Sequence, residues 1–224
     1  MPTALIIGAS RGIGLELARQ YRADGWRVIA TARNTEACNA LQALGVEAHT
    51  LDVCNLEQCA GFAWKLDDEK LDVAILNAGV LGTRQSSMSA PVQDEFDQVM
   101  QTNVLAAMRL LPILAPLVAS THGRLAVISS VMGSIGGRAQ NGMSLYRASK
   151  AALNSVLRDI ALEPAANGAI CVAMHPGWVR TEMGGPEADI TVEVSVAGIR
   201  QTLAKLAAAD NSSFYSYDGS KISW

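Results

Sequence analysis

Tyr146 and Lys150 stand four residues apart in "YRASK", a spacing that stacks both side chains on one face of a helix. A phenol has a reference pKa of about 10 and is protonated at neutral pH; a neighbouring lysine cation favours the phenolate, each tenfold change in that balance being worth about 1.4 kcal/mol. Such a tyrosine can act as general acid toward a carbonyl oxygen. Ser130, just past the apolar run "RLAVI", is placed to donate a hydrogen bond to the same atom. Alone, Y-x-x-x-K also describes an ordinary exposed helix face, so the reading depends on what surrounds it.

The second stretch with chemical content is "GASRGIG", Gly8 to Gly14. Read as G-x-S-x-G, it makes Ser10 a hydrolase nucleophile on a strained turn. That reading needs earlier strands to supply an oxyanion donor, and an acid and a histidine downstream. Only one strand precedes Ser10, and the candidate histidine, His175, is wedged in a Pro-Gly turn. Read instead as a phosphate cradle, Gly8, Gly12 and Gly14 allow positive φ and close approach of a pyrophosphate. The helix beginning near Gly12 then presents free N–H groups and its positive dipole end. The second reading is the one retained.

Nucleotide choice falls at the end of the second strand, where NAD enzymes place an Asp or Glu about 20 residues beyond the glycines. Here the sequence is "TARN", with Arg33 and no carboxylate. With Arg11 in the glycine turn, a 2′-phosphate would meet two cations. NADP(H) is the expected cofactor and NAD(H) the alternative. The competing explanation is that both arginines are solvated surface charges.

Aliphatic runs alternating with helical patterns supply the frame. Strands are expected at Thr3–Ile7, Arg27–Ala32, Glu47–Leu51, Asp72–Leu76, Arg124–Ile128 and Ala169–Met174, with an edge strand at Ser213–Tyr217. Helices are expected from the glycine turn to Gly25, from the second strand to Gly45, and after an Asn55 cap. Further helices are expected over Val92–Val118, Ser144–Leu162 and Val192–Ala208. Pro112 and Pro116 should bend or break the fourth. The expected fold is α/β over residues 1–224: a single-domain, Rossmann-type doubly wound parallel sheet with helices on both faces. Ligands of such sheets bind beyond the carboxyl ends of the strands. Those positions hold Gly8 to Gly14, Arg33, Asp52, Asn77-Ala78-Gly79, Ser129-Ser130 and His175-Pro176-Gly177.

Composition narrows the function classes. Of 224 residues 17% are charged and the net charge is −3, so no basic surface is expected for nucleic acid. Cys38, Cys54, Cys59 and Cys171 form no C-x-x-C pair, so neither a metal site nor a disulfide framework is expected. The opening MPTALIIGAS lacks a basic flank and is not expected to be a secretion signal. The apolar stretch Leu105–Ala119 contains Arg109 and two prolines and is shorter than the roughly 20 residues a bilayer requires. A soluble, cytoplasmic protein without membrane partner is expected.

With these residues in place, the sequence resembles the short-chain dehydrogenase/reductase family over nearly its whole length. "GASRGIG" resembles that family's cofactor motif, implying coenzyme contacts from Gly8, Ser10, Arg11, Gly12, Ile13 and Gly14. Ile7 stands where a threonine is common. "LDV" resembles the adenine-contacting segment, implying roles for Asp52 and Val53. "LNAG" is similar to the family's N-N-A-G, implying roles for Asn77, Ala78 and Gly79, with Leu76 replacing the first asparagine. The resemblance implies that Asn103 holds a water linking Lys150 to solvent. It also implies that Ser130 orients the carbonyl, Tyr146 protonates it and Lys150 binds the nicotinamide ribose. "HPGWVRT" resembles the segment that closes over the nicotinamide, implying contacts from Pro176, Gly177, Val179 and Thr181.

Within the family the short tail resembles C-factor-like and sniffer-like carbonyl reductases. Met132, Trp178 and Met183 are the candidate walls of a substrate pocket. The resemblance implies an NADP(H)-dependent reductase of aldehydes or ketones acting on a small carbonyl or alcohol. The alternatives are an NAD(H)-dependent secondary-alcohol dehydrogenase and a non-catalytic NADP(H)-sensing protein. Apolar helix faces, which relatives pair, imply a homodimer or homotetramer.

Overall fold

The aliphatic runs become seven strands of one sheet: β1 (Thr3–Ile7), β2 (Arg27–Ala32), β3 (Glu47–Thr50), β4 (Val73–Leu76), β5 (Arg124–Ile128), β6 (Ile170–His175) and β7 (Ser213–Ser216). In the computed structural model, which describes residues 1–224, every pair is parallel and the order is β3-β2-β1-β4-β5-β6-β7. The expected doubly wound sheet is the fold that forms, with β7 at the edge. Strand boundaries lie within a residue or so of expectation; β6 runs on to His175.

Side chains alternate between the two faces of β1. Leu5 and Ile7 join one core with α3 (Leu56–Lys65), α5 (Ala106–Ala119) and α6 (Ser144–Leu162). Ala4 and Ile6 join the other with α1 (Gly12–Ala23), α2 (Thr35–Ala43) and α7 (Val192–Lys205). Both faces are therefore covered, as a parallel sheet requires. Helix ends follow local chemistry. The side chains of Asn34 and Asn55 accept the N–H groups of Ala37 and Gln58 at 2.8 and 2.9 Å. Gly25 and Gly45, at φ +80° and +76°, turn the chain out of α1 and α2.

The stretch expected as one proline-broken helix is built differently. α4 (Gln93–Met100) passes through a π turn at Gln101–Leu105 into α5, which runs through both prolines without a break. Met108, Pro112 and Pro116 form one exposed stripe, so the carbonyls that the prolines leave unbonded are on the wet side of the helix. The irregular turn falls instead at Asn103. The expectation from length also changes. Gln93–Ala119 is a continuous helical run of 27 residues, long and apolar enough to cross a bilayer by length and composition. Half of its most apolar window is buried against the sheet, the pattern of a core helix.

β6 ends on His175, whose Nδ1 is buried without a hydrogen-bond partner. Burial pushes its pKa down to about 4, with Asp218 pulling weakly the other way. The unfolded chain takes up this proton near pH 6.5 while the folded chain does not. Stability is thus fully present above that pH and falls as pH drops toward 4, by up to about 3 kcal/mol. Urea unfolding of wild type and His175→Asn between pH 7 and 4 should show the difference in stability shifting toward the variant as pH falls; a pH-independent difference would refute the assignment.

Candidate active site

The carboxyl ends of the strands open into one cleft of about 510 Å3. Its floor at β1 is the glycine turn. Gly8 and Gly12 take φ of +88° and +54°, which only glycine adopts freely. A Cβ on Gly14 would lie 2.1 Å from the Gly8 carbonyl oxygen and 2.6 Å from Asn77 Nδ2. Asn77 Nδ2 donates to that carbonyl at 2.7 Å, so its side chain holds the turn in place. Thr31 holds the other side: its hydroxyl accepts the Gly8 N–H at 3.1 Å and its carbonyl accepts the Ala9 N–H at 2.7 Å. α1 then starts with no acidic residue in its first turn, leaving its N–H groups and positive end facing the cleft.

Ser10, Ile13, Asp52, Val53, Ala78 and Gly79 also line this cleft. One Asp52 oxygen accepts the Cys54 N–H at 2.9 Å, and the other makes no bond within the chain. Arg33 lines the cleft, exposed and without an ion pair or side-chain hydrogen bond. Arg11 differs from expectation: its guanidinium is paired with Glu182. One of the two expected cations is therefore free and the other is shared with a carboxylate from the facing segment.

Tyr146 and Lys150 lie on α6 and are buried, as are Ser130 and Asn103. Ser130 begins a short 3-10 turn (Val131–Gly133), where its Oγ accepts the Met132 N–H at 3.1 Å. That leaves the hydroxyl proton free to donate, within hydrogen-bonding reach of Tyr146. Gly133 makes the approach possible, because a Cβ there would lie 2.8 Å from the Lys150 backbone. Lys150 Nζ donates to the Ile128 carbonyl at 2.8 Å and sits 5.8 Å from the Tyr146 ring centre.

The charge balance corrects the reading from spacing alone. Burial pushes the Tyr146 phenol up to about 12, outweighing the opposing hydrogen bond with Ser130. Burial also brings Lys150 down to about 8. Spacing predicted a phenolate-favouring pair, whereas in the chain alone desolvation dominates both groups and keeps the tyrosine protonated.

Asn103 is placed at the centre, with its side chain engaged within the protein. Its amide donates to the Val80 carbonyl at 2.8 Å and to Ser149 Oγ at 2.9 Å, and its oxygen accepts the Val80 N–H at 2.8 Å. The side chain is fully occupied in bracing Val80 and does not reach the cleft lining. A water held by this residue would have to use the main chain of the π turn.

The segment after β6 folds over the same opening. Pro176 and Thr181 line it, and the Pro176 carbonyl accepts Ser195 Oγ at 2.5 Å. Gly177 takes φ +85°, a conformation that favours glycine, close against Ile190. A parallel bridge pairs Val179 with Ile190, turning the Val179 N–H the other way and leaving it unbonded. The Thr181 hydroxyl accepts the Gly184 N–H at 2.9 Å and donates to the Val179 carbonyl at 3.3 Å, within its own loop. Of the candidate pocket walls only Met183 lines the cleft. Trp178 is half exposed with its indole N–H on the Gly184 carbonyl at 2.9 Å, and Met132 lies outside. Sequence reasoning missed Thr31, Glu182, Ser149 and Gly133, which act through contacts between distant segments and carry no motif.

These residues fit a dinucleotide. The turn has no room for a side chain at Gly8 or Gly14, the helix end has no competing acid, and Arg33 and the Val179 N–H are left without partners. Sheet order and cradle define a doubly wound nucleotide-binding protein of the dehydrogenase type. Residues 2–190 match the short chain dehydrogenase family, and the chain belongs to it and is an oxidoreductase. A short-chain dehydrogenase/reductase from Burkholderia multivorans with bound NADP is 34% identical, with a TM-score of 0.89 over 100% of this chain and 99% of that one. The carbonyl reductase Sniffer of D. melanogaster is 29% identical, with a TM-score of 0.89 over 100% of both chains. The C-signal protein of Myxococcus xanthus is 32% identical over 73% of this chain and 98% of its own.

The Arg11–Glu182 pair makes a direct prediction. Glu182→Gln should free Arg11 and tighten NADPH binding by about two- to fivefold, the range of an exposed ion pair, with NADH affected less. Fluorescence titration of both nucleotides reads this; equal changes for the two would show that Arg11 does not meet the 2′-phosphate.

Proposed function

We propose that this oxidoreductase reduces aldehydes or ketones to alcohols with NADP(H). The observation that carries the reading is a buried, protonated Tyr146 with Ser130 in reach and Lys150 behind it, at the edge of a cleft with a dinucleotide cradle. The nicotinamide, when bound, supplies the hydride. The chain does the rest. Ser130 donates a hydrogen bond that orients the carbonyl, and Tyr146 gives its proton to the oxygen as negative charge develops there. Lys150, still mostly ammonium at pH 7, stabilises the phenolate left behind. Arg33, unpaired at the end of β2, supports NADP(H) over NAD(H), and the NADP-bound neighbour is consistent with that choice. Self-association through α5 and α6 belongs to the same proposal: Leu105, Met108 and Leu162 are exposed there.

Two experiments test it. Tyr146→Phe should lower NADPH-dependent turnover of a carbonyl panel by about 10²–10⁴-fold while NADPH affinity is retained. Retained turnover would remove Tyr146 from the chemistry. An absence of turnover in wild type, with tight NADPH binding, would favour a sensing protein. Arg33→Ala should weaken NADPH binding by about tenfold or more and NADH binding little; parallel losses would return NAD(H) and alcohol oxidation as the better reading.

A further inference from the structure

Beside the cleft, outside the residues that line it, stands a group of arginines tied to two of its lining residues, Met183 and Tyr146. Two segments carry them, residues 77–92 after β4 and residues 129–147 around Tyr146, and neither contains an aspartate or glutamate. They contain Arg84, Arg138 and Arg147. The segments are joined: the Met143 N–H donates to the Gln85 carbonyl at 2.8 Å, and a Cβ on Gly142 would lie 3.1 Å from the same oxygen. Arg84 then spans the opening, its Nη2 donating to the Met183 carbonyl at 2.6 Å on the segment that lines the cleft from the other side.

All three guanidinium groups bond only to backbone carbonyls. Arg147 Nε donates to Gly142 O at 2.9 Å, and Arg138 Nε to Gln140 O at 3.4 Å. None has a carboxylate partner, unlike Arg11, Arg19, Arg27 and Arg200; what sets these three apart from the other unpaired arginines is that they stand on two joined segments that contain no acid. Partial burial disfavours the charge of Arg147, and Arg138 stands near enough to repel it. The nearest acids are engaged: Glu95 accepts the Thr83 N–H, and Glu182 is held by Arg11. Glu187 and Asp189 flank Ala188, whose carbonyl accepts Arg180 Nε at 2.8 Å. Guanidinium groups crowded together without an anion are the arrangement that binds one, because the planar fork matches carboxylate or phosphate oxygens in pairs.

We propose that Arg84 and Arg147, with Arg138 adding to the field, select carbonyl substrates that carry an anionic group, a carboxylate or a phosphate, at the end of the cleft beyond Tyr146. The proposal rests on the carbonyl-reductase reading and assigns its substrate class. Electrostatic attraction at the open mouth also raises the encounter rate, so the preference weakens with salt.

The test uses the full chain, NADPH and matched substrates: a keto acid beside its methyl ester, and a phosphorylated ketone beside the unphosphorylated one. Each pair is measured at low and high salt in wild type, Arg84→Met and Arg147→Met. Wild type should favour the anionic member in kcat/KM by about tenfold or more, and either variant should bring that ratio toward one, mainly through KM. The two pairs separate carboxylate from phosphate. A wild type that favours the neutral members, or variants that leave the ratio unchanged, would overturn the proposal; Arg84 is exposed, so its variant can be read even if Arg147→Met fails to fold. If no carbonyl is reduced, the reductase reading fails and the charge preference is decided by binding. Quenching of bound NADPH fluorescence by the acid but not the ester, lost in Arg84→Met, upholds it, and equal quenching overturns it.

Discussion

A lysine ammonium with almost no access to water needs its surroundings built around it, and Lys150 imposes that constraint on the whole catalytic end of the sheet. Its Nζ is held by the carbonyl of Ile128, the last residue of β5. Gly133 makes way for it, since a Cβ there would lie 2.8 Å from the Lys150 backbone. Asn103 braces Val80 on one side of this space and Ser149 on the other, which places the π turn of the α4–α5 helix beside the reacting residues. Tyr146 and Ser130 are positioned by the same packing, so the hydroxyl pair beside the lysine is a consequence of how the lysine is accommodated.

The coenzyme end solves a different problem with backbone alone. The N–H groups at the start of α1 are free to meet phosphate charge, and at Gly8 and Gly14 no side chain can intrude on the turn. Asn77 and Thr31, from the two strands flanking β1, fasten the turn to the sheet. The pairing of Val179 with Ile190 frees one more N–H in the segment that folds over the opening. Side-chain cations are used sparingly here, with Arg33 free and Arg11 tied to Glu182, whereas the segments around Tyr146 and after β4 carry three arginines and no acid. The cleft therefore has an electrostatic direction as well as a shape.

Much of this was legible in the linear sequence, because the signals are local. Strand positions follow from short aliphatic runs, the cap at Asn55 from residue type, and the glycine cradle from the spacing of Gly8, Gly12 and Gly14 after a strand; the Asn34 cap emerged only in the structure. Tyr146 and Lys150 share a helix face at a spacing of four, and Ser130 follows a strand end, so their meeting is a consequence of the topology. Arg33 could be singled out because it stands where another nucleotide would require a carboxylate.

What the sequence by itself determined was which residues could do chemistry and which end of the sheet they occupy, since both depend on residue type and periodicity. Only the tertiary structure decided their charge states and partners. It pushed the Tyr146 phenol up and the Lys150 ammonium down, against the expected pull of the lysine on the tyrosine, because burial acts on both groups and is a property of the packed core. It engaged the side chains of Asn103 and Thr181 within the protein, joined Arg11 to Glu182 across 171 positions, and left Trp178 and Met132 outside the cleft. It carried α5 through two prolines because their unbonded carbonyls face water. Hydrogen bonds and desolvation depend on distance in space, and sequence spacing reports that distance only within a single element.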